Sequence, residues 1–586
     1  MIKDLAEAQN LFDVIQYHAG NKGDEIALVY LIDGEDHEAV ITYRELDRQS
    51  RAFAATLQKI TQPGDRALLL YPSGLEFIVA FLGCIYAGVV AVPTIVPHLK
   101  RATPRFRAML ADAHATVACT QLELSDKLQA LFVEYPEFHD LKWIVSEQIE
   151  SGAESDWKPV DIKPDELSFL QYTSGSTSTP KGAMITHFSL METIRDLQVG
   201  AGVDERSKLT SWLPIFHDLG LISCLLVPLY VGCPCYFMAP IAFLEKPYRW
   251  LRAASKHKVS HTIAPNFAFD LCVQKISDEE KATLDLHLLR YLGNAAEPVR
   301  LETMQKFSEA FAPYGFNPDV FAPAYGLAEA TVKVSGRPYE GKLSYCTLDI
   351  DALAKHKLVF LPQDDPKGYI SVGCGWSANG ADIRIVDSQT RQQCADDEVG
   401  EIWVKSKNNA RGYWERPEET EATFHAYLLP SNEGPFLRTG DLGFIYNGQL
   451  HITGRIKDLV ILQGRNFYPQ DIELTIEKCH PAMQAGFGAA FAVEEGQVDH
   501  LVVVQEVKRE YRKSDDFEGI ANAIRMAVAK NHGLRVQAVA LIMPSTIPKT
   551  TSGKIQRNAT RELFLGGKLE TLYEWRAPGI FKSSTA

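Results

Sequence analysis

Residues 172–187 read YTSGSTSTPKGAMITH, and this stretch limits what the surrounding chain can build. The residues from Thr173 to Pro180 are small hydroxyl residues, Gly or Pro, and Lys181 and Gly182 follow at once. Such a segment cannot pack a core. It can wrap a polyphosphate, because Gly lets the backbone approach closely, successive N–H and hydroxyl groups donate to phosphoryl oxygens, and Lys181 supplies a compact positive charge. Apolar LSFLQ precedes it and a helix-compatible SLMETIRDLQ follows, so the context predicts strand, loop, helix. No GxxxxGK[ST] spacing can be drawn through it, so it is not a Walker loop. Composition alone would make it a Ser/Thr-rich surface turn; the order of its residues and the rest of the chain decide otherwise.

The chain has 586 residues, enough for several domains, and its 46% hydrophobic and 23% charged content is that of a soluble globular protein with a large core. Ten cysteines are scattered without a CxxC pair; Cys233 and Cys235 are the closest, so neither a zinc site nor a disulfide framework is indicated. The N-terminus MIKDLAEAQNLFDVIQ has no signal-peptide apolar region, and a cytoplasmic location is expected. A net charge of −14 argues against general binding to nucleic acid or anionic lipid. The charge is uneven: from Lys457 onward the balance is +2, against −16 before it. That difference suits a module that brings positive charge to a phosphate or meets an acidic partner.

Along the chain, Thr42 is a predicted N-cap, with Leu46, Phe53 and Leu57 at helical spacing after it. Residues 77–97 are uncharged, but Gly83, Gly88, Pro93 and Pro97 punctuate them. A buried helix ending near Gly88 and a strand VVAVPT are expected there, with no stable membrane insertion. Helical patterns alternate with short apolar runs such as RALLLY and VSHTIAP to about residue 330, the pattern of α/β layers with largely parallel strands. His217 and Asp218 in SWLPIFHDLGLI could suggest an acid/base pair, but adjacent residues rarely face one substrate atom and no GxSxG nucleophile elbow is present, so a hydrolase has little support. YNGQ before LHITG signals a two-residue hairpin.

The order of these segments resembles the adenylate-forming superfamily, and most closely its fatty acyl-AMP ligases. The superfamily pattern YTSGTTGxPKGxxxTH is met with Ser176 for the first paired threonine and Ser178 for the second glycine, a serine-rich variant frequent in that branch. WLPxxHDxGL has the flavour of the fatty-acid branch rather than the FDxS of amino-acid-activating relatives. The resemblance implies an α/β fold, with a large multi-layer N-terminal region over residues 1–456 and a small mobile α+β domain over 457–586. ATP would be held by Thr173, Ser174, Gly175, Ser176, Thr177 and Lys181 at its phosphates. Asn294, Ala295 and Ala296 of GNAAEPV, with Tyr325 and Gly326 of PAYGLAEATV, would border adenine. Asp441 would accept the ribose hydroxyls and Arg455 would lie near ribose and phosphate. Glu329 would bind Mg²⁺, a hard cation that prefers oxygen ligands. His217 would lie near the carboxylate and adenylate. Lys457 matches the family's hinge, and Lys554 of IPKTTSGKIQR its adenylating lysine. Ala328 stands where acyl-CoA synthetases commonly have Thr.

The implied reaction is attack of a carboxylate on the α-phosphorus of ATP, which needs neutralisation of negative charge and no protein nucleophile. A pantetheine thiol then displaces AMP. Residues 339–375 (YEGKLSYCTLDIDALAKHKLVFLPQDDPKGYISVGCG) form a longer interval than acyl-CoA synthetases usually have. In fatty acyl-AMP ligases a similar insertion packs on the C-terminal domain and hinders the thioester-forming rotation with CoA. The expected partners are therefore a medium- or long-chain fatty acid and a phosphopantetheinylated acyl carrier protein. An acyl-CoA synthetase and a nucleotide-binding module without turnover are the alternatives; retention of Glu329, Asp441, Arg455 and Lys554 speaks against the second.

Overall fold

The computed structural model describes all residues except 1, 98–103, 136–137, 174–179, 364, 378, 463–464, 496–497, 551–552, 579 and 581–586. Among the described residues, two large sheets carry the N-terminal region. One runs, in spatial order, through Lys142–Val145, Val117–Thr120, Arg66–Leu70, Val90–Pro93, Leu167–Thr173 and Lys181–Thr186. Its first five strands are parallel and the last is antiparallel. The other has six parallel strands at its centre, from Phe321–Tyr325 through Tyr291–Asn294, His261–Ala264, Leu209–Ser211 and Cys235–Met238 to Ile26–Leu31. Short antiparallel strands close its edges.

Local signals place the elements that build these layers. Thr42 caps the helix Tyr43–Gln58 by accepting from the Glu45 N–H, as Ncap threonines do. The uncharged stretch forms the buried helix Leu75–Ala87, which Gly88 ends in the left-handed conformation at φ 70° before the strand Val90–Pro93. A core that includes Phe53, Phe81, Phe169 and Leu225 lies between the sheets, and a second one centred on Trp250, Phe269 and Phe307 lies outside the larger. No described helix is long and apolar enough to cross a membrane. All ten cysteines are free, eight of them buried.

The Gly/Ser/Thr segment differs from the strand, loop, helix expectation. KGAMIT turns back as an antiparallel strand, with Thr173 opposite Lys181 and Tyr172 opposite Gly182, and the helix His187–Ala201 starts only afterwards. Alternation of small and apolar residues lets this strand pair with LSFLQYT, so a hairpin, not a helix N-terminus, carries the loop.

An antiparallel sheet of Asp382–Val386, Gly400–Lys405, Leu437–Tyr446 and Gln449–Arg455 follows. Asn447 and Gly448 make the hairpin turn at φ 50° and 74°, the conformation that an Asn-Gly pair favours. Residues 339–375 contain a three-stranded sheet of Phe360–Leu361, Tyr345–Leu348 and Tyr369–Val372, with a short helix at Ile350–Leu353. The smaller C-terminal domain has its own mixed sheet, Met483–Glu495, Val498–Val507, Val536–Ile542 and Thr571–Arg576, whose core side chains include Ile476, Val503, Ile524 and Leu541.

Candidate active site

A cleft of about 850 Å³ lies between the N-terminal region and the C-terminal domain, and it gathers residues from strand ends and loops far apart in sequence. Lys181, His217, Ala295, Ala296, Tyr325, Gly326, Glu329, Asp441, Arg455, Lys457 and Lys554 all line it. Ser174, Gly175, Ser176 and Thr177 lie outside the described residues, as does the side chain of Thr173. Asn294 is a correction to the expected set: it is fully buried, its amide donates to Asn266 Oδ1 at 3.2 Å, and its side chain does not line the cleft. The strand Tyr291–Asn294 alternates its faces, so Gly293 borders the cleft and Asn294 points away from it.

Asp441 lies inside the strand Leu437–Tyr446, and it is 4% exposed. It is registered opposite Arg455, whose Nε donates to Asp441 Oδ1 at 2.8 Å. The Tyr325 hydroxyl donates to the other oxygen at 2.6 Å. Asp441 in turn strengthens the Arg455 charge, while burial and then Asp441 raise the Tyr325 pKa well above its ordinary value. These charge-assisted bonds fix a carboxylate, a guanidinium and an aromatic ring on one wall. Gly326 follows Tyr325 because a Cβ there would lie 1.7 Å from the Val332 carbonyl oxygen.

In the same cleft, Glu329 accepts from the Tyr413 hydroxyl at 2.7 Å through Oε1. The Lys181 ammonium sits 4.9 Å above the Tyr413 ring, within cation–π range. Sequence reasoning passed over Tyr413 although it stands in the GEIWVKSKNNARGYW segment. What positions it is tertiary: Trp414 N donates to Gly182 O at 2.8 Å, docking this segment on the loop-bearing hairpin.

The His217 Nδ1 and Asp218 Oδ1 atoms, on neighbours in sequence, lie 2.6 Å apart. Burial pushes the Asp218 carboxyl up, but His217, the Leu219 N–H and Lys554 outweigh it and hold the group below its usual range. A π-helix, Leu219–Leu226, begins directly after the pair, a departure from α-helical geometry that is frequent at functional sites.

Lys554 reaches the cleft from the C-terminal domain. Its side chain faces the open cavity, yet protein closes around it: burial and then Arg455 lower its pKa, while Asp441, Asp218 and Glu297 oppose the shift. Glu297, another group the sequence reading missed, borders the same cavity, and burial raises its carboxyl pKa. No cluster of three or more His, Cys, Asp or Glu side chains that could hold a metal occurs among the described residues. A cation would fit here only as Mg²⁺ does, on one carboxylate plus nucleotide oxygens, and Glu329 has an oxygen left over after Tyr413.

The family model described as AMP-binding enzyme matches residues 15–414, and one described as Disco-interacting protein 2-like, AMP domain, matches residues 457–574. The chain is 47% identical to the medium-chain-fatty-acid–[acyl-carrier-protein] ligase JamA of Moorena producens, over 97% of each chain. It is 36% identical to the long-chain-fatty-acid–AMP ligase FadD32 of Mycolicibacterium smegmatis, over 94% of this chain and 93% of that one. Among solved structures, the fatty acyl-adenylate ligase of L. pneumophila in complex with acyl adenylate and pyrophosphate superimposes with a TM-score of 0.76. That pair is 37% identical over 98% of this chain and 99% of the other.

Proposed function

Because the chain belongs to the AMP-binding enzyme family, we propose that it is a fatty acyl-AMP ligase. It condenses a medium- or long-chain fatty acid with ATP to acyl-adenylate and pyrophosphate, then passes the acyl group to the phosphopantetheine thiol of an acyl carrier protein. The observation that carries this reading is Lys554, which the C-terminal domain delivers into the same cleft as His217, Asp441 and Arg455.

The fatty carboxylate attacks the α-phosphorus, forming the acyl–phosphate bond, and pyrophosphate leaves with the electron pair of the α–β bridge. Positioning and charge neutralisation supply the catalysis. Asp441 accepts the ribose hydroxyls, exchanging its present bonds to Tyr325 and Arg455. The Tyr325 ring and the backbone at Ala295 and Ala296 flank the base. Lys181, with the Thr173 to Thr177 loop, meets the leaving phosphates, and Lys554 meets the oxygens at the reacting centre. His217, oriented by Asp218, faces the incoming carboxylate. Mg²⁺, when held by Glu329, would supply further charge neutralisation at the phosphates. Lys457 serves as the hinge between residues 1–456 and the C-terminal domain.

A carrier protein is favoured over CoA by the seam between residues 339–375 and the C-terminal domain. Asn466 N donates to Ala354 O at 3.0 Å, Arg465 pairs with Asp351, and Tyr468 packs with Leu348 and Leu353. Purified protein with ATP, Mg²⁺ and laurate, assayed with CoA and with a pantetheinylated carrier protein, is expected to form acyl-adenylate and acyl-carrier but little acyl-CoA. Lauroyl-CoA formed as fast as the adenylate would replace this reading with that of an acyl-CoA synthetase.

A further inference from the structure

Behind the main cleft lies a second cavity of about 30 Å³, and the two share four lining residues: Leu197, Ser223, Ile263 and Tyr291. These come from four elements: the helix His187–Ala201, the π-helix, and the two adjacent parallel strands His261–Ala264 and Tyr291–Asn294 of the larger sheet. On the cleft side, apolar Phe216 and Leu219 line the same cleft as His217.

Beyond the neck the walls offer a polar group almost nothing. Thr210 Oγ1 is spent on Tyr236 O at 2.9 Å and Thr262 Oγ1 on Thr210 O at 2.8 Å. His261 bonds to the Ala201 carbonyl and to Ser260, and Val203, Leu209 and Val227 are apolar. A small cavity of this chemistry stays dry and accepts hydrocarbon. At the neck itself, the Ser223 hydroxyl is buried with no hydrogen-bond partner. An unpaired buried hydroxyl adds no hydrogen bond to the fold; what the residue provides is small size where the two cavities meet.

We propose that Leu197, Ser223, Ile263 and Tyr291 form the gate that sets acyl-chain length, with the terminal methyl group of the preferred substrate stopping at or just past this neck. The inference rests on the fatty acid reading above. A longer chain must fold back or force the gate, because the chamber behind holds only about one terminal carbon.

The test is pyrophosphate release across even-numbered saturated fatty acids of increasing length, with wild type, Ile263→Ala and Ser223→Leu. Wild type should show a sharp fall in kcat/KM just beyond its optimum. Ile263→Ala joins the two cavities and should move the optimum about two carbons longer. Each buried methylene is worth a factor of about four, so the ratio of the longer acid to the original one should rise about fifteenfold. Ser223→Leu should move the optimum the other way. A flat wild-type profile, or two folded variants that keep the wild-type optimum, would overturn the gate while leaving the ligase reading intact. Wild type that releases pyrophosphate with no fatty acid of any length would overturn the ligase reading itself.

Discussion

The C-terminal domain meets the inserted segment through a buried apolar contact with the Arg465–Asp351 ion pair beside it, and it meets Glu302 of the N-terminal region through an exposed ion pair. At the first joint Tyr468 is 4% exposed and packs with Cys346, Leu348 and Leu353, and Leu459 packs beside them. At the second, Lys478 pairs with Glu302 at 2.5 Å while both side chains remain about half exposed, and Lys306 and Lys478 together hold the Glu302 carboxyl down to about 2. The difference lies in what each contact loses when opened. Charges return to water at little net cost, whereas the apolar joint must expose buried surface. On the function proposed above, the segment 339–375 would work as the holding contact, and the exposed pair at Glu302 would let go more easily.

The largest effect is expected in the cleft, where Lys554→Ala would remove the donor proposed for the reacting oxygens. Such a donor is worth about 3 to 4 kcal/mol, so adenylation should fall about 10² to 10³-fold while ATP binding stays nearly unchanged. Pyrophosphate release within threefold of wild type would remove Lys554 from the mechanism. The same residue gives a pH signature. Its pKa is lowered by burial and by Arg455, and the proposed role needs the ammonium form, so kcat/KM should decline with rising pH below the usual lysine range. In Lys554→Arg, which keeps its charge, that alkaline limb should move up.

Next comes the apolar joint. Moving a closed-to-open ratio from about 99:1 to parity takes about 2.7 kcal/mol, and truncating a buried aromatic typically costs about 3 to 5. Tyr468→Ala should therefore raise the open population up to about 50-fold, seen as faster proteolysis near residue 457 and increased acyl-CoA formation. Unchanged proteolysis would mean that the insertion does not hold the domain. Asp441→Ala should weaken ATP affinity by about 1.5 to 3 kcal/mol, the range for hydrogen bonds to a charged group. Calorimetry showing unchanged affinity would count against a ribose role. The smallest effect belongs to Lys478→Ala: an exposed pair contributes about 0 to 1 kcal/mol, so proteolysis and activity should change by less than about fivefold. A change as large as that of Tyr468→Ala would erase the contrast between the joints.

What the sequence determined by itself is local. The Thr42 cap, the stop at Gly88 and the Asn447–Gly448 turn depend on residues a few positions apart, and all three stand where the pattern puts them. The motif order likewise indicated the family, since each segment carries its own signature. Tertiary structure decided how those segments meet. Tyr325 and Asp441 are 116 residues apart and share one hydrogen bond; Tyr413 and Glu329 are 84 apart and share another. The return of KGAMIT as a strand depends on its partner LSFLQYT, and the turning away of Asn294 on the pleat of a parallel sheet. Residue type and spacing encode torsional preference and periodicity, but which side chains converge on one cleft is set by sheet register and by the docking of the C-terminal domain, and both are fixed by contacts distant in sequence.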